Sequence, residues 1–325
     1  MSEKLKITFY WAASCGGCEV AVLDINEKIL DVVAIADILF WPVALDIKYK
    51  DIEAMPDKHI DVTFFNGGIR TSEGEHMANL FRRKTKTLVA FGSCACTGSI
   101  PGLANLSNKD EIFQTAYMDT ISTVNPDKIV PKTSINVEEG ILTLPEFYNT
   151  LKTLDQTVEV DYYLPGCPPP VKLISTAIDA IASGDLPPKG SIIAPVTALC
   201  DECPREKQDK DVTAFKRPYE ILNTDPNLCF LDQGIICMGI ATRSGCEAAC
   251  LSANWPCTGC GGATPESKDQ GMNMVSAIAS MAGLENEENL SDQELESLFD
   301  QIKDPMGTFY MYSLADSILK RRVIK

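Results

Sequence analysis

The placement of its cysteines constrains this chain more than any other feature. Thirteen cysteines occur in 325 residues, in two groups. Five lie before residue 190, and eight lie between residues 200 and 260. A chain of this length with 45% hydrophobic residues can form a core without cross-links. Free cysteines clustered in this way indicate metal binding or catalysis rather than disulfides when the compartment is reducing.

Charge and hydropathy bear on the compartment and on the partners. The net charge of −16 argues against nucleic acid and against an anionic membrane, because both require a basic face. The apolar run at residues 7–13 is too short for a signal-peptide core with a cleavage site. No stretch approaches the roughly 20 apolar residues that span a bilayer. We therefore expect a cytoplasmic protein without nucleic-acid or membrane partners.

The first part of the chain alternates strand and helix patterns. Largely apolar strands separated by helices predict an α/β fold with a parallel sheet covered on both faces. In such sheets, ligands bind beyond the carboxyl ends of the strands. Three of the predicted strands end there in cysteines, namely Cys15 with Cys18, Cys94 with Cys96, and Cys167. The predicted strands span residues 4–11, 35–41, 60–65, 87–91 and 158–164.

Composition divides the chain into three expected parts, residues 1–190, 191–266 and 267–325. A linker rich in proline and glycine at residues 186–190 marks the first boundary. The middle part has little periodicity, so we expect what its cysteines bind to hold it folded. The last part has helical patterns, with capping-box spacing from Ser291 to Glu294 and a last helix predicted over residues 308–322.

The number of cysteines suits iron–sulfur cubes. A [4Fe–4S] cluster takes four thiolates, so the eight later cysteines can hold two clusters and four of the first five can hold a third. Spacing alone leaves other interpretations open. Cys15 and Cys18 also match a redox dithiol at the start of a helix. The pairs Cys200 with Cys203 and Cys257 with Cys260 also match tetrahedral zinc sites.

The motifs resemble those of one known family, the small subunits of [NiFe] hydrogenases. Cys15-Gly16-Gly17-Cys18, then Gly92-Ser93-Cys94-Ala95, then Pro165-Gly166-Cys167-Pro168-Pro169 are similar to the family's proximal-cluster motifs, in the same order. The resemblance extends to about residue 264. It implies a flavodoxin-like first domain, followed by an irregular iron–sulfur domain and a helical tail. It also implies a proximal cluster held by Cys15, Cys18, Cys94 and Cys167, with Cys96 left over.

The resemblance also assigns the later cysteines. Cys200-Asp201-Glu202-Cys203-Pro204-Arg205 is similar to the distal motif, although many members have histidine at the first position. The implied distal [4Fe–4S] cluster uses Cys200, Cys203, Cys229 and Cys237. A medial motif follows Asn254-Trp255-Pro256, where many members bind a three-iron cluster with three cysteines. Here an additional cysteine implies a full medial cube on Cys246, Cys250, Cys257 and Cys260.

The resemblance locates hydrogen activation in another chain. The two histidines, His59 and His76, and the one cysteine left over do not make a nickel–iron site, so we expect that site in a large partner subunit. The interface is expected at the strand ends around Cys15, Gly68 and Cys94. The all-cysteine pattern is most similar to the cytoplasmic, methanogen-type branch that does not reduce coenzyme F420. That branch implies an iron–sulfur adaptor and a heterodisulfide reductase as further partners.

The sequence leaves three alternatives open. In the first, the hydrogenase uses coenzyme F420, NADP or sulfur as its electron acceptor. In the second, the chain is the cluster subunit of a respiratory NADH dehydrogenase, although that family lacks the second cysteine group. In the third, the chain is a zinc-binding scaffold without enzymatic function. Iron and zinc analysis would separate the last alternative from the others.

Overall fold

The computed structural model describes residues 4–208, 212, 214–220, 224–282 and 291–322. The strands in this part of the chain, numbered in order, are β1 (Leu5–Trp11), β2 (Ala36–Phe40), β3 (Ile60–Asn66), β4 (Ile69–Thr71), β5 (Thr85–Phe91), β6 (Ser134–Val137), β7 (Gly140–Thr143), β8 (Phe147–Lys152) and β9 (Tyr162–Leu164). The α-helices are α1 (Gly17–Leu23), α2 (Lys28–Ile35), α3 (Tyr49–Ala54), α4 (Ser72–Lys84), α5 (Ser93–Thr97), α6 (Ser99–Gly102), α7 (Lys109–Gln114), α8 (Val171–Ser183), α9 (Ala249–Ser252), α10 (Gln270–Met281), α11 (Asp292–Phe299) and α12 (Pro305–Phe309).

The central sheet has five parallel strands in the order β2-β1-β3-β5-β9. This is the flavodoxin-like order of doubly wound folds, in which the strand order reverses between β1 and β3. The crevice beyond the carboxyl ends of these two strands is the usual ligand site of such sheets. The α/β fold with a parallel sheet, predicted from the sequence, is confirmed.

The register of the sheet brings the strand ends side by side. Trp11 of β1 pairs with Asn66 of β3, and Asn66 pairs with Phe91 of β5. Phe91 in turn pairs with Leu164 of β9. Since cysteines follow three of these four ends within a few residues, the register alone directs them to one edge of the sheet.

Helices cover both faces of this sheet. The central strands are buried runs because parallel strands packed on both sides take apolar residues at every position. On one face the sheet packs against α1, α2 and α8, through residues that include Phe9, Val22, Val32, Phe64 and Ile174. On the other face it packs against α4, through Tyr10, Phe65, Met77, Phe81 and Leu88. This frame fixes the positions of the strand ends.

Five of the later cysteines lie in or against a third apolar cluster, namely Cys203, Cys229, Cys237, Cys246 and Cys257. The described residues between 191 and 264 contribute short 3-10 helices, α9 and loops, and α10 and α12 pack onto them. The shared cluster contains Cys237 and Cys257 among large side chains such as Phe230, Met274 and Phe309. The C-terminal helices therefore form one core with the cysteine-rich segment.

Some predicted elements were wrong in extent. The last helix was predicted over residues 308–322, but α12 ends at Phe309 and turns follow. Its later carbonyl groups bond to other segments: Tyr312 O accepts from Thr97 Oγ1 and Ala315 O accepts from Gln156 Nε2. Tertiary contacts thus replace the helix. The capping box of Ser291 and Glu294 at the start of α11 is confirmed.

Two other predicted elements differ in the structure. Val22, Ile25, Ile29 and Val33 have the spacing of one helix, but these residues belong to two helices, α1 and α2, because Asn26 adopts a positive φ of 54° between them. Asparagine tolerates this left-handed conformation better than most residues. The fifth predicted strand begins only at Tyr162, because Val158 N donates to Leu154 O in a turn.

A hairpin missed at the sequence level lies between α7 and β8. Its strands β6 and β7 pair antiparallel, and both are exposed along their whole length. β8 pairs antiparallel with β4, which follows the end of β3. No helix in the described part of the chain is long and apolar enough to cross a membrane.

Candidate functional site

The first cysteine set lies at the carboxyl edge of the sheet. Cys15 follows β1, Cys18 lies in α1, Cys94 lies in α5 after β5, and Cys167 follows β9. Burial raises the pKa of the Cys94 thiol to about 11, and a hydrogen bond with Ser99 offsets part of this increase. Burial also raises the pKa of Cys18, and four neighbouring thiols raise it further: Cys94, Cys167, Cys15 and Cys96. The adjacent ends of β1, β5 and β9 bring Cys15, Cys94 and Cys167 to one edge of the sheet, with Cys18 in the helix that begins there.

Glycine at position 92 makes room for this set. Gly92 has a φ of 82°, and a Cβ there would lie 2.3 Å from Cys18 Sγ. A side chain at this position would also sit in a conformation that L-residues rarely adopt. Only a glycine at position 92 therefore allows the loop before Cys94 to approach the Cys18 sulfur. This close approach of backbone to sulfur suits a site that encloses a bound group.

Cys96 lies apart from this edge. It belongs to the apolar cluster on the α4 face of the sheet, and its thiol donates to Ala90 O at 3.3 Å. Complete burial raises its pKa well above the ordinary value. Its exclusion from the ligand set stays a prediction, but its thiol already has a backbone partner in the core.

The second set comprises the four cysteines implied for the distal cluster. Burial raises the pKa of Cys200 to about 12, and three neighbouring thiols raise it further: Cys237, Cys229 and Cys203. Burial also raises the pKa of Cys237 to about 11, against a backbone hydrogen bond from Gly239. Cys200 is exposed while Cys237 is buried, so this set extends from the interior to the surface.

The third set shares one cavity. A cavity of about 70 Å³ is lined by all four cysteines implied for the medial cluster, together with Gly166 and Pro168 from the loop of the first set. Burial raises the pKa of Cys260 to about 11, with Cys246 and Cys250 among the thiols that raise it further. The cavity-lining cysteines are Cys246, Cys250, Cys257 and Cys260.

Hydrogen bonds join the three sets in a row. Ser93 Oγ, beside Cys94 of the first set, donates to the carbonyl oxygen of Cys260 at 2.6 Å and links the first set to the third. Cys257 N donates to Cys237 Sγ at 3.3 Å and links the third set to the second. The third set therefore lies between the other two.

The donor chemistry of each set fits an iron–sulfur cube. Each set offers four thiols, which is the ligand set of a [4Fe–4S] cluster, and bound cations deprotonate coordinating thiols that burial would otherwise keep protonated. Backbone N–H groups also point at the sulfurs, from Gly17 to Cys15 at 3.4 Å and from Cys257 to Cys237 at 3.3 Å. Such hydrogen bonds set the potential of a cluster.

A single metal ion needs a tighter arrangement. Among the residues that the structure describes, no group of three or more His, Cys, Asp or Glu side chains is placed to hold one ion. Thiolates around one tetrahedral zinc ion at about 2.3 Å lie within about 4 Å of each other. A cube of four irons is wider, so its four thiolates stand further apart.

Ser93 belongs to the motif around Cys94, but that motif did not predict its contacts. It is buried, and its Oγ donates to Cys260 O at 2.6 Å and accepts from Gly166 N at 3.0 Å. Ser99, whose Oγ lies 3.9 Å from Cys167 Sγ, was also missed. The position of Ser93 between Gly92 and Cys94 was the one signal available in the sequence.

A buried carboxylate also lies beside the first set. Glu19 follows Cys18 in α1 and is 3% exposed. Trp41 Nε1 donates to Glu19 Oε2. Burial raises the pKa of Glu19, and the bond from Trp41 lowers it in part. Neither residue stands out in the sequence, because a lone glutamate in a helix carries no pattern.

Comparison with known proteins identifies the family. The family model of the NADH ubiquinone oxidoreductase 20 Kd subunit matches residues 15–181, which hold the first cysteine group and not the second. Over the full length, the chain is 39% identical to the iron-sulfur subunit of the F420-non-reducing hydrogenase of Archaeoglobus profundus, covering 99% of each chain. It is 36% identical to the corresponding subunit of the F420-non-reducing hydrogenase of Methanothermobacter thermautotrophicus, covering 100% of this chain and 99% of the relative.

A solved structure supports the fold. A chain of the Dm. baculatum [NiFeSe]-hydrogenase matches with a TM-score of 0.50 and 16% identity, covering 80% of this chain and 95% of that chain. Since full-length relatives that share more than a third of their residues with this chain are subunits of one kind of hydrogenase, the assignment rests on them. The chain belongs to the family of iron–sulfur, or small, subunits of F420-non-reducing hydrogenases.

Proposed function

We propose that this chain is the electron-relay subunit of a [NiFe] hydrogenase and holds three [4Fe–4S] clusters. The observation that carries the proposal is the arrangement of twelve cysteines in three sets of four, linked by the hydrogen bonds from Ser93 Oγ to the Cys260 carbonyl and from Cys257 N to Cys237 Sγ. A cluster bound at such a set exchanges single electrons. What the chain contributes is the position and insulation of each set.

The order of the sets supports an electron-transfer path through the chain that could run in either direction. The proximal set is Cys15, Cys18, Cys94 and Cys167, the medial set is Cys246, Cys250, Cys257 and Cys260, and the distal set is Cys200, Cys203, Cys229 and Cys237. One hydrogen bond joins the medial set to the Ser93 residue beside the proximal set, and one joins it to the distal set. The proposed path therefore runs from proximal to medial to distal.

The proposed partner at the proximal end is the large, catalytic subunit. Cys15 is exposed at the edge of the sheet, and apolar side chains around it are also exposed. Trp11 is 43%, Val20 58% and Leu23 54% exposed. Contiguous exposed apolar residues mark interaction surfaces, and a partner there would bury the proximal set. Hydrogen activation would occur in that partner.

The distal end would serve the electron acceptor. We propose an iron–sulfur adaptor protein and a heterodisulfide reductase, following the family resemblance, with coenzyme F420, NADP and sulfur as the alternative acceptors. We also propose a cytoplasmic location, which suits thirteen cysteines without a disulfide. The division into residues 1–190, 191–266 and 267–325 is part of the same proposal.

Metal analysis tests the proposal directly. Anaerobically purified chain should contain about twelve irons and as many acid-labile sulfides. Reduction should give electron paramagnetic resonance signals of three interacting clusters. Zinc in place of iron would overturn the proposal, as would iron confined to the first cysteine group.

A further inference from the structure

A groove opens to the surface where the medial and distal sets meet. Its cavity has a volume of about 280 Å³. Ile236 and Met238, on either side of Cys237, line it, as do Cys257 and its neighbour Thr258. The floor of the groove is therefore built from the segments that carry one ligand of each proposed cluster.

The rim of the groove is basic, although the chain is acidic. Lys216, Arg217 and Lys303 line it, whereas the net charge of the whole chain is −16. Within the described ranges, none of the three makes an ion pair, and Lys303 Nζ donates to the carbonyl of Asp300. Asp304 is the carboxylate that lines the groove, and its Oδ1 accepts from Gly307 N at the start of α12.

Two aromatic side chains stand beside these cations. Tyr219 is 69% exposed and Trp255 is 50% exposed, and both line the groove. Exposed tyrosine and tryptophan beside arginine are the residue types that carry most binding energy in protein interfaces. Complementary charge around such anchors speeds association and selects the partner.

We propose that this groove is the docking site of the electron acceptor, and that the acceptor presents an acidic segment of an iron–sulfur protein. The proposal rests on the proposed relay, because docking here places the acceptor beside the medial and distal sets. The unpaired cations supply the charge complementarity, and the acidity of the remaining surface disfavours an acidic partner elsewhere. The apolar floor and the aromatic rim supply the contact area.

The test uses the assembled hydrogenase with charge reversals in the groove. The triple variant Lys216→Glu, Arg217→Glu and Lys303→Glu is compared with a control triple, Lys4→Glu, Arg83→Glu and Lys86→Glu. The control residues lie at the opposite, amino-terminal edge of the sheet and change the net charge equally. The probe is a small acidic [2Fe–2S] ferredoxin, with binding measured by biolayer interferometry at several salt concentrations.

The groove triple should weaken ferredoxin binding at least about tenfold, mainly through the association rate, and should flatten its salt dependence. The control triple should stay within about twofold of the wild type. Tyr219→Ala, which removes an exposed side chain, should raise the dissociation rate several-fold without changing the salt dependence. Equal weakening in both triples, or in neither, would overturn the proposal. A change of oligomeric state in the groove triple alone would also overturn it, because the occupant would then be a second copy of this chain.

Two further readouts separate this inference from the relay itself. Iron content and hydrogen-dependent reduction of methyl viologen, a small cationic dye, should be the same in the wild type and the groove triple. Unchanged dye reduction with weakened ferredoxin binding supports the groove. Wild-type enzyme without iron in this chain would refute the relay, whereas normal iron with unaltered ferredoxin binding would refute the groove alone.

Discussion

Ser93 Oγ donates a hydrogen bond of 2.6 Å to the carbonyl oxygen of Cys260. The two residues are 167 positions apart. Ser93 directly precedes Cys94 of the proximal set, and Cys260 belongs to the medial set. The same hydroxyl accepts from Gly166 N at 3.0 Å, and Ser93 N donates to Gly166 O at 2.8 Å. One serine thus fixes the Cys94 and Cys167 loops of the proximal set against the medial set.

Replacing Ser93 with alanine should therefore destabilise the junction. The change leaves the buried Gly166 N–H and the Cys260 carbonyl without their shared hydroxyl, which costs about 1–3 kcal/mol. We expect a lower midpoint in anaerobic thermal unfolding at a fixed scan rate. The control is Ser183→Ala, because Ser183 is exposed at the end of α8 and its hydroxyl bonds only within that helix and to Asp185 just after it. Equal midpoints for the two variants would contradict a structural role of Ser93.

Cys94 and Cys96 offer a comparison of two thiols two residues apart. Cys94→Ala removes one ligand of the proposed proximal cluster, so iron should fall below about twelve per chain. Hydrogen-dependent reduction of the acceptor should also fall at least tenfold. Cys96→Ala should retain the iron content and the rate of acceptor reduction, because Cys96 bonds to Ala90 O in the core. The change should lower the free energy of unfolding by only about 1–2 kcal/mol through lost packing. Equal losses of iron in the two variants would overturn the assignment of Cys94.

Much of the sheet could be predicted because its signals are local. The buried runs in β1, β3 and β5 are continuous, and the glycines and cysteines that end them stand directly after them in the sequence. Since parallel strands end at one edge, proximity of Cys15, Cys94 and Cys167 followed from the order of elements. The grouping of the later eight cysteines had no such signal. The resemblance supplied that grouping, and it stays a prediction.

The misassigned elements depend on contacts between distant residues. Residues 310–319 have helical periodicity, but the carbonyls of Tyr312 and Ala315 accept from Thr97 and Gln156. These bonds join residues that are more than 150 positions apart in the sequence, so a local sequence pattern does not reveal them. The hairpin of β6 and β7 was missed for a different reason. Both strands are exposed on both faces, so the alternation that identifies a half-buried strand is absent.

Asp316 should make stability depend on pH. Partial desolvation of its carboxyl group, followed by the nearby carboxylate of Asp155, raises the pKa of Asp316 from 3.8 to about 6. A carboxyl whose folded pKa is raised destabilises the fold as it ionises, so this penalty grows as the pH rises from about 4 through 6. Asp316→Asn should thus gain stability relative to the wild type between pH 5 and pH 7.5. Because Asp316 retains solvent exposure, we expect a gain of at most about 1 kcal/mol.

Thermal midpoints at the two pH values test this dependence. The control is Asp185→Asn, since Asp185 is exposed just after α8. Its difference from the wild type should be the same at both pH values. An Asp316→Asn advantage that is larger at pH 5 than at pH 7.5 would reverse the sign and contradict the argument.

The exposed apolar surface beside the proximal set predicts where the large subunit binds. Val20 lies in α1, two residues after Cys18, and is 58% exposed. Val20→Asp places a carboxylate in the proposed interface, where desolvation without a partner costs at least about 2 kcal/mol. The affinity for the large subunit should fall roughly thirtyfold, measured by anaerobic biolayer interferometry. Val196→Asp is the matched control, because Val196 is 72% exposed in the cysteine-rich segment. Iron content should stay the same in both variants. A loss of binding in Val20→Asp alone would then identify this surface as the interface. Equal binding of the large subunit by both variants would place it on another surface.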